Sequence, residues 1–237
     1  MYMEFEKKVL DIDVAATRKK LKAIGCKKIH GAKMFKRNVF YMCDKEVNGF
    51  ARVRDEGTHV TLTTKLMKDP KYPEEIDITV NADFDTATKL VANTGLEQKS
   101  FQESIREKYS HPLAHEITID IIPGLPTYME IDCTSEENLD KLIRLLEIDT
   151  DKLRTGSYDK QFQEYYDITK TEFMQLKTLT FRGIKKEIKP KKNQTLFHKV
   201  IRQYTESYLK QTEKPLKLTT IKRKRCKNGT RKKCVST

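Results

Sequence analysis

Glu4 and Glu6 alternate with Phe5 and Lys7 and are followed by Lys8, so an extended chain presents two carboxylates and an ammonium on one face. The plan recurs. Arg52 and Arg54 stand opposite Ala51 and Val53, Thr61, Thr63 and Lys65 opposite Val60, Leu62 and Thr64, and Glu75 and Asp77 opposite Ile76, Ile78 and Val80. Arg106 and Lys108 share a face in SIREKY, as do Glu116, Thr118 and Asp120 in EITIDII and Tyr128, Glu130 and Asp132 in TYMEIDC. A solvated edge strand uses charges to prevent edge-to-edge aggregation and would show the pattern once. Its recurrence points to a shared ionic surface.

That surface gathers eight acids (Glu4, Glu6, Glu75, Asp77, Glu116, Asp120, Glu130, Asp132) and six bases (Lys8, Arg52, Arg54, Lys65, Arg106, Lys108). Burying so many ions is costly unless each has a partner. A polyphosphate with divalent cations supplies partners of both kinds: its oxygens accept from Arg and Lys, and carboxylates hold the metal on its other side. Carboxylate ligation without a His or Cys cluster favours Mg²⁺ or Mn²⁺ over Zn²⁺.

The elements that must position these residues are about eight strands, counting a less regular KRNVFYM, and three helices. DVAATRKKLKAIG has Asp13 as N-cap, Val14, Leu21 and Ile24 on its apolar side, and Gly25 as its stop. DFDTATKLVANTG repeats the plan with Asp85 as the expected cap, Leu90 and Val91 inside and Gly95 at its end; SEENLDKLIRLLEI aligns Leu139, Leu142, Ile143 and Leu146. A sandwich would leave the ionic faces in water, whereas a barrel turns the apolar faces outward under helices and the charges inward. Two features favour the barrel: the helices need a sheet face to cover, and the ionic faces almost lack Ser, Asn and Gln. The expected fold is α+β, an eight-stranded antiparallel β-barrel with helices packed outside and a basic C-terminal extension.

The 237 residues are 37% hydrophobic and 34% charged, and no apolar run approaches the roughly 20 residues of a membrane span. The first residues lack the pattern of a secretory signal. Five scattered cysteines, at 26, 43, 133, 226 and 234, point to reduced thiols and a cytoplasmic setting, with no membrane partner. The net charge of +13 is uneven: residues 182–237 carry 19 Lys and Arg against 3 Asp and Glu, and residues 1–181 carry 28 against 31.

Glu4-Phe5-Glu6-Lys7-Lys8 resembles the ExExK signature of the CYTH superfamily, also called triphosphate tunnel metalloenzymes, which includes class IV adenylyl cyclases, thiamine and inorganic triphosphatases and relatives of RNA triphosphatases. The order of the later motifs strengthens the likeness: Arg52-x-Arg54, Lys65, the pair Arg106 and Lys108, Asp120 before PGLP, Glu130-Ile131-Asp132, and GSYDKQF with Ser157 and Tyr158. The resemblance covers about residues 1–168 and implies a triphosphate tunnel. It implies that Glu4, Glu6 and Glu130 are metal ligands, with Asp132 and Asp120 nearby. Lys8, Arg52, Arg54, Lys65, Arg106 and Lys108 would be phosphate contacts, and Glu75 an additional acidic one. Glu4, Glu6, Lys8, Lys65 and Glu130 form the expected catalytic set. The chain departs from the pattern in having Asp132 where many members have Glu and in the reversed order of Arg106 and Lys108.

The expected activity is metal-dependent hydrolysis of a triphosphate, whether inorganic, nucleoside or at an RNA 5′ end. The alternatives are a class IV adenylyl cyclase and a non-catalytic polyphosphate- or RNA-binding module. His111 and His115 have metal-helix spacing, but Pro112 favours a loop. Beyond the expected tunnel domain, residues 169–214 read as a helical extension, with Leu196, Val200, Ile201, Tyr204 and Tyr208 near helical spacing, and 215–237 as a basic, disordered tail able to contact nucleic acid. The KRCKNGTRKKC ending resembles a Cys-flanked basic element of giant DNA virus proteins, which would place the chain in a host cytoplasm.

Overall fold

The computed structural model describes residues 5–44, 46–66 and 74–204. Glu4 and the basic end from 205 onward therefore lie outside the described residues. The chain runs β1 (Phe5–Val9), α1 (Val14–Ala23), β2 (Lys27–Tyr41), β3 (Gly49–Asp55), β4 (Val60–Leu66), β5 (Glu74–Val80), α2 (Phe84–Asn93), β6 (Gln98–His111), β7 (Ala114–Ile121), β8 (Tyr128–Cys133) and α3 (Glu136–Leu145). Next come a 3₁₀ turn (Thr150–Lys152), β9 (Leu153–Arg154), α4 (Asp159–Tyr166), α5 (Lys170–Met174), β10 (Thr178–Leu179), α6 (Ile184–Glu187) and α7 (Gln194–Tyr204). No helix among them is long and apolar enough to cross a membrane.

The eight long strands expected from the alternation are present, with β9 and β10 as two-residue additions. The sheet order is β5-β4-β3-β2-β6-β7-β8-β1-β9, and β10 pairs in parallel with β6. All other ladders are antiparallel. Among the described residues no ladder joins β5 to β1, so the expected closed barrel is a curled, barrel-like sheet with an unpaired seam. The free edge of β1 is occupied by β9, whose Arg154 lies opposite Lys8. Register shifts within β2 and β6, between Lys28 and His30, His30 and Lys33, and Val39 and Phe40, help these long strands bend.

The apolar faces point outward under the helices, as the barrel reading requires. Val9, Ile117, Ile119, Met129 and Ile131 form one buried cluster with Leu21 of α1 and Leu139 and Leu142 of α3. Phe40, Ala51, Val53 and Val60 form another with Ala87 of α2. Asp13 and Ser135 cap α1 and α3 through their side chains, each accepting from the third residue on. For α2 the expected cap is corrected: Asp83, not Asp85, accepts from the Thr86 amide. The face of α2 that packs on the sheet carries Phe84, Ala87 and Val91, and Leu90, expected inside, is 60% exposed. His111 and His115 flank a hairpin turn in strand context rather than a helix, as Pro112 suggests.

Residues 169–204, expected as a helical extension, pack into the core of the sheet domain. Phe173, Leu179, Ile184, Ile188, Phe197 and Ile201 share a cluster with Leu10, Ile122, Leu125 and Tyr128. The PGLP turn is the contact point. Gly124 has φ +86, a Cβ there would lie 3.0 Å from the Phe197 ring, and its carbonyl accepts a 2.7 Å hydrogen bond from Tyr166. Phe197→Ala is expected to cost about 3–5 kcal/mol, read as a lowered Tm, because Phe197 is fully buried against this turn.

Candidate functional site

Strand alternation and sheet curl together place the charged faces on one concave surface. On its acid-rich side β1, β8, β7 and β6 lie next to each other, and the registers put Lys8 opposite Glu130, Thr118 opposite Glu130, and Arg106 opposite Asp120. The Lys8 ammonium, with its side chain 5% exposed, lies between Glu6 and Glu130, 2.8 Å from Glu130. Arg106 makes a forked contact with Asp120, its Nε and Nη2 donating at 2.7 and 2.8 Å, and reaches Glu116 at 3.0 Å and Glu130 at 3.4 Å. Lys108 contacts Glu116 at 2.5 Å. Asp132 lies farther along the same face of β8, buried and in register with Glu6 and Glu116.

The base-rich side is formed by β2, β3, β4 and β5. Arg52 donates to Thr63 at 3.0 Å and to Glu75 at 3.4 Å, and Lys65 contacts Glu75 at 2.9 Å. Arg54 pairs with Glu56. The two sides confront each other across the cavity. In a flat sheet β4 and β8, five strand steps apart, would be separated by about 24 Å; here Lys65 is among the charges that lower the pKa of Glu130.

Two contributors escaped the sequence reading. Arg37 of β2 lies in register between Arg54 and Gln102, so it joins the ionic face. Its neighbours on that face are Phe35 and Val39, which hid it from a search for alternating charge. Arg37 donates to the Tyr158 hydroxyl at 2.8 Å, and that hydroxyl donates to Gln102 at 2.5 Å. Tyr158, singled out with Ser157 in GSYDKQF, thus reaches the sheet floor, and Gln102 is the second missed residue.

The electrostatics differ between the sides. Burial opposes ionisation of Glu130, but Lys8 and Arg106 outweigh it and hold its pKa below the ordinary 4.5. Burial likewise opposes ionisation of Glu116, and Arg106 and Lys108 outweigh it. Asp120, buried more deeply, is raised above 3.8 by its desolvation in spite of Arg106. On the basic side, burial and then the charges of Arg54 and Arg37 lower Arg52 to about 9, against the pull of Glu75 and Asp77. The Nε atoms of Arg37 and Arg54 are buried without a hydrogen-bond partner among the described residues. Arg37, Arg52 and Arg54 thus crowd one another on the basic side, and two of their Nε donors meet no acceptor among the described residues.

These shifts give stability a pH dependence and set its sign. Carboxylates lowered on folding stabilise the fold above their ordinary value and lose that contribution as pH falls through the folded value. Asp120 has the opposite sign and offsets part of the loss. Tm is expected to hold above about pH 5 and to fall below about pH 4.5, and Glu116→Gln to flatten that acid limb.

No group of three His, Cys, Asp or Glu arranged to hold a metal occurs among the described residues. The donor chemistry still suits a hard divalent cation: the Glu6 and Glu130 carboxylates converge on a single cation position, which the Lys8 ammonium occupies.

No family model and no curated protein matches this sequence. Solved structures do. A candidate adenylate cyclase of Vibrio parahaemolyticus superposes with a TM-score of 0.57 at 16% identity, covering 67% of this chain and 97% of that one. Two Pyrococcus horikoshii proteins give TM-scores of 0.54 at 17% identity, covering 66% of this chain and 97% of theirs, and 0.51 at 22%, covering 68% and 98%. At these identities the shared property is the fold.

Proposed function

We propose that this chain is a metal-dependent phosphohydrolase that binds a triphosphate on the concave ionic face. The observation that carries the reading is the cluster of Arg37, Arg52 and Arg54, crowded enough to lower Arg52 and holding two buried, unpaired Nε donors. A polyphosphate supplies the missing acceptors, and a guanidinium engages its oxygens through two parallel N–H donors. The resemblance to triphosphate tunnel metalloenzymes and the barrel-like fold support the same substrate class.

Arg37, Arg52, Arg54 and Lys65 would orient the phosphate chain from the basic side, and Lys8, Arg106 and Lys108 would meet it from the other. Glu6, Glu130 and Glu4 would hold Mg²⁺ or Mn²⁺, with Asp132 alongside, and the ion when bound supplies charge neutralisation at the reacting phosphoryl group. Asp120 is committed to Arg106 and acts by fixing that guanidinium. Water attacks the terminal phosphorus in line, the bond to the bridging oxygen breaks, and orthophosphate leaves. The protein contributes positioning and charge, the main sources of catalysis in phosphoryl transfer. The basic end beyond residue 204 would draw an RNA 5′-triphosphate to the face electrostatically.

The test is to incubate the protein with Mg²⁺ or Mn²⁺ and tripolyphosphate, ATP or triphosphate-ended RNA and to resolve the products. Orthophosphate release is expected. Cyclic AMP with pyrophosphate from ATP would replace this reading with the cyclase, and binding without turnover would reduce the chain to a binding module.

A further inference from the structure

Arg37 differs from the other arginines of the basic side in what holds it. Arg52 contacts Glu75 and Arg54 contacts Glu56, so a carboxylate offsets part of each charge. The hydrogen-bond partner of Arg37 is neutral. Its Nη2 donates to the Tyr158 hydroxyl at 2.8 Å, and its guanidinium carbon lies 5.3 Å from the centre of the same ring. Tyr158 thus binds the cation without cancelling it.

A chain of hydrogen bonds fixes which way that hydroxyl faces. Its one proton goes to the Gln102 Oε1 at 2.5 Å, and the Gln102 Nε2 donates to the Ser100 hydroxyl at 2.9 Å. With its proton committed to Gln102, the Tyr158 oxygen can only accept from Arg37. The ring is fixed from the C-terminal side: Tyr158 packs against the cluster that contains Phe162, Phe173 and Phe197, and meets Phe173 of α5 edge-on at 5.7 Å.

Arg37 needs such a hold. In register it lies opposite Arg54, and like charges directly opposite each other in a sheet repel. Burial, and then the charges of Arg54 and Arg37, already lower Arg52 to about 9. An unrestrained Arg37 side chain would swing away from this crowd. A carboxylate in place of the hydroxyl would hold the guanidinium but neutralise it, whereas the hydroxyl holds it and leaves its charge for an anion.

We propose that Tyr158 is a positioning residue for phosphate binding on the concave face, acting through Arg37 to keep that uncompensated cation beside Arg52 and Arg54. The packing of α4 and α5 is thereby carried into the affinity of the site. The inference rests on the reading of that face as a triphosphate site, and it assigns Tyr158 no contact with the substrate.

The experiment is calorimetric titration of the full chain with tripolyphosphate in metal-free buffer, with the Tm of each protein measured alongside. The proteins are the parent, Tyr158→Phe, Arg37→Met, the double variant and Arg52→Met. Tyr158→Phe keeps the ring and its contact with Phe173, so its Tm is expected within about 2 °C of the parent. Its affinity is expected to fall about tenfold, the effect of losing one hydrogen bond to a charged group. Arg37→Met should weaken binding at least as much, and the double variant should bind like Arg37→Met alone, because without Arg37 the hydroxyl has nothing to position. A packing defect would instead lower the Tm and weaken the Arg37→Met background further. Parent-like binding by Tyr158→Phe, or a loss that adds in full to that of Arg37→Met, would overturn the proposal. If Arg52→Met weakens binding and Tyr158→Phe does not, the inference fails while the triphosphate site stands; absence of binding by the parent would overturn both.

Discussion

Glu130→Gln is expected to fold and to lose tripolyphosphate turnover by about a hundredfold to a thousandfold, the range seen when one electrostatic contributor to a transition state is removed. Glutamine keeps the shape and can accept from Lys8, which lies 2.8 Å from the carboxylate and retains Glu6 as its charged partner. What the substitution removes is the negative charge at the centre of the acid-rich side, held ionised against its burial by Lys8 and Arg106. A purely structural role would show itself as a lowered Tm with turnover preserved. The conservative change keeps these outcomes apart, whereas alanine would mix them by leaving a void beside two buried cations.

The second large effect is on stability. Arg106→Met should cost about 3–5 kcal/mol, because it strips the forked partner from Asp120, whose side chain is 2% exposed, and leaves that carboxylate with the Thr118 hydroxyl. Burial already raises Asp120, and without the guanidinium its protonation on folding becomes more favourable still. A Tm lowered by more than about 6 °C is expected for a chain of this length. Adding Asp120→Asn should recover a substantial part of the loss, since an unpaired buried charge costs more than the absent pair. A single variant within about 2 °C of the parent would show that the contact is dispensable.

Much of this surface could be read from period-two alternation, because strands buried on their apolar face cannot slip register without turning that face to the cavity. Arg52, Arg106 and Glu130 are legible in this way: each has polar neighbours at two-residue spacing on its own strand. Arg37 is not, because Phe35 and Val39 flank it on the same face, and only the pairing of β2 with β3 and β6 carries it to Arg54 and Gln102. The seam of the sheet was equally illegible. Leu153 and Arg154 are too few to register as a strand, yet they take the edge of β1 that a closed barrel would give to β5. In α2, two aspartates two residues apart compete as caps, and the pattern around Leu90 and Val91 fits either frame. The choice of Asp83 is settled by packing of Phe84 and Ala87 against β3 and β4, a tertiary effect that propensity does not contain.

The most direct measurement is a crystal structure with tripolyphosphate and Mn²⁺, the metal located by its anomalous scattering. The expected result is a phosphate chain on the concave face with oxygens accepting from Arg37, Arg52 and Arg54, and an anomalous peak beside Glu6 and Glu130. Tripolyphosphate bound elsewhere, or a metal away from both carboxylates, would contradict the account.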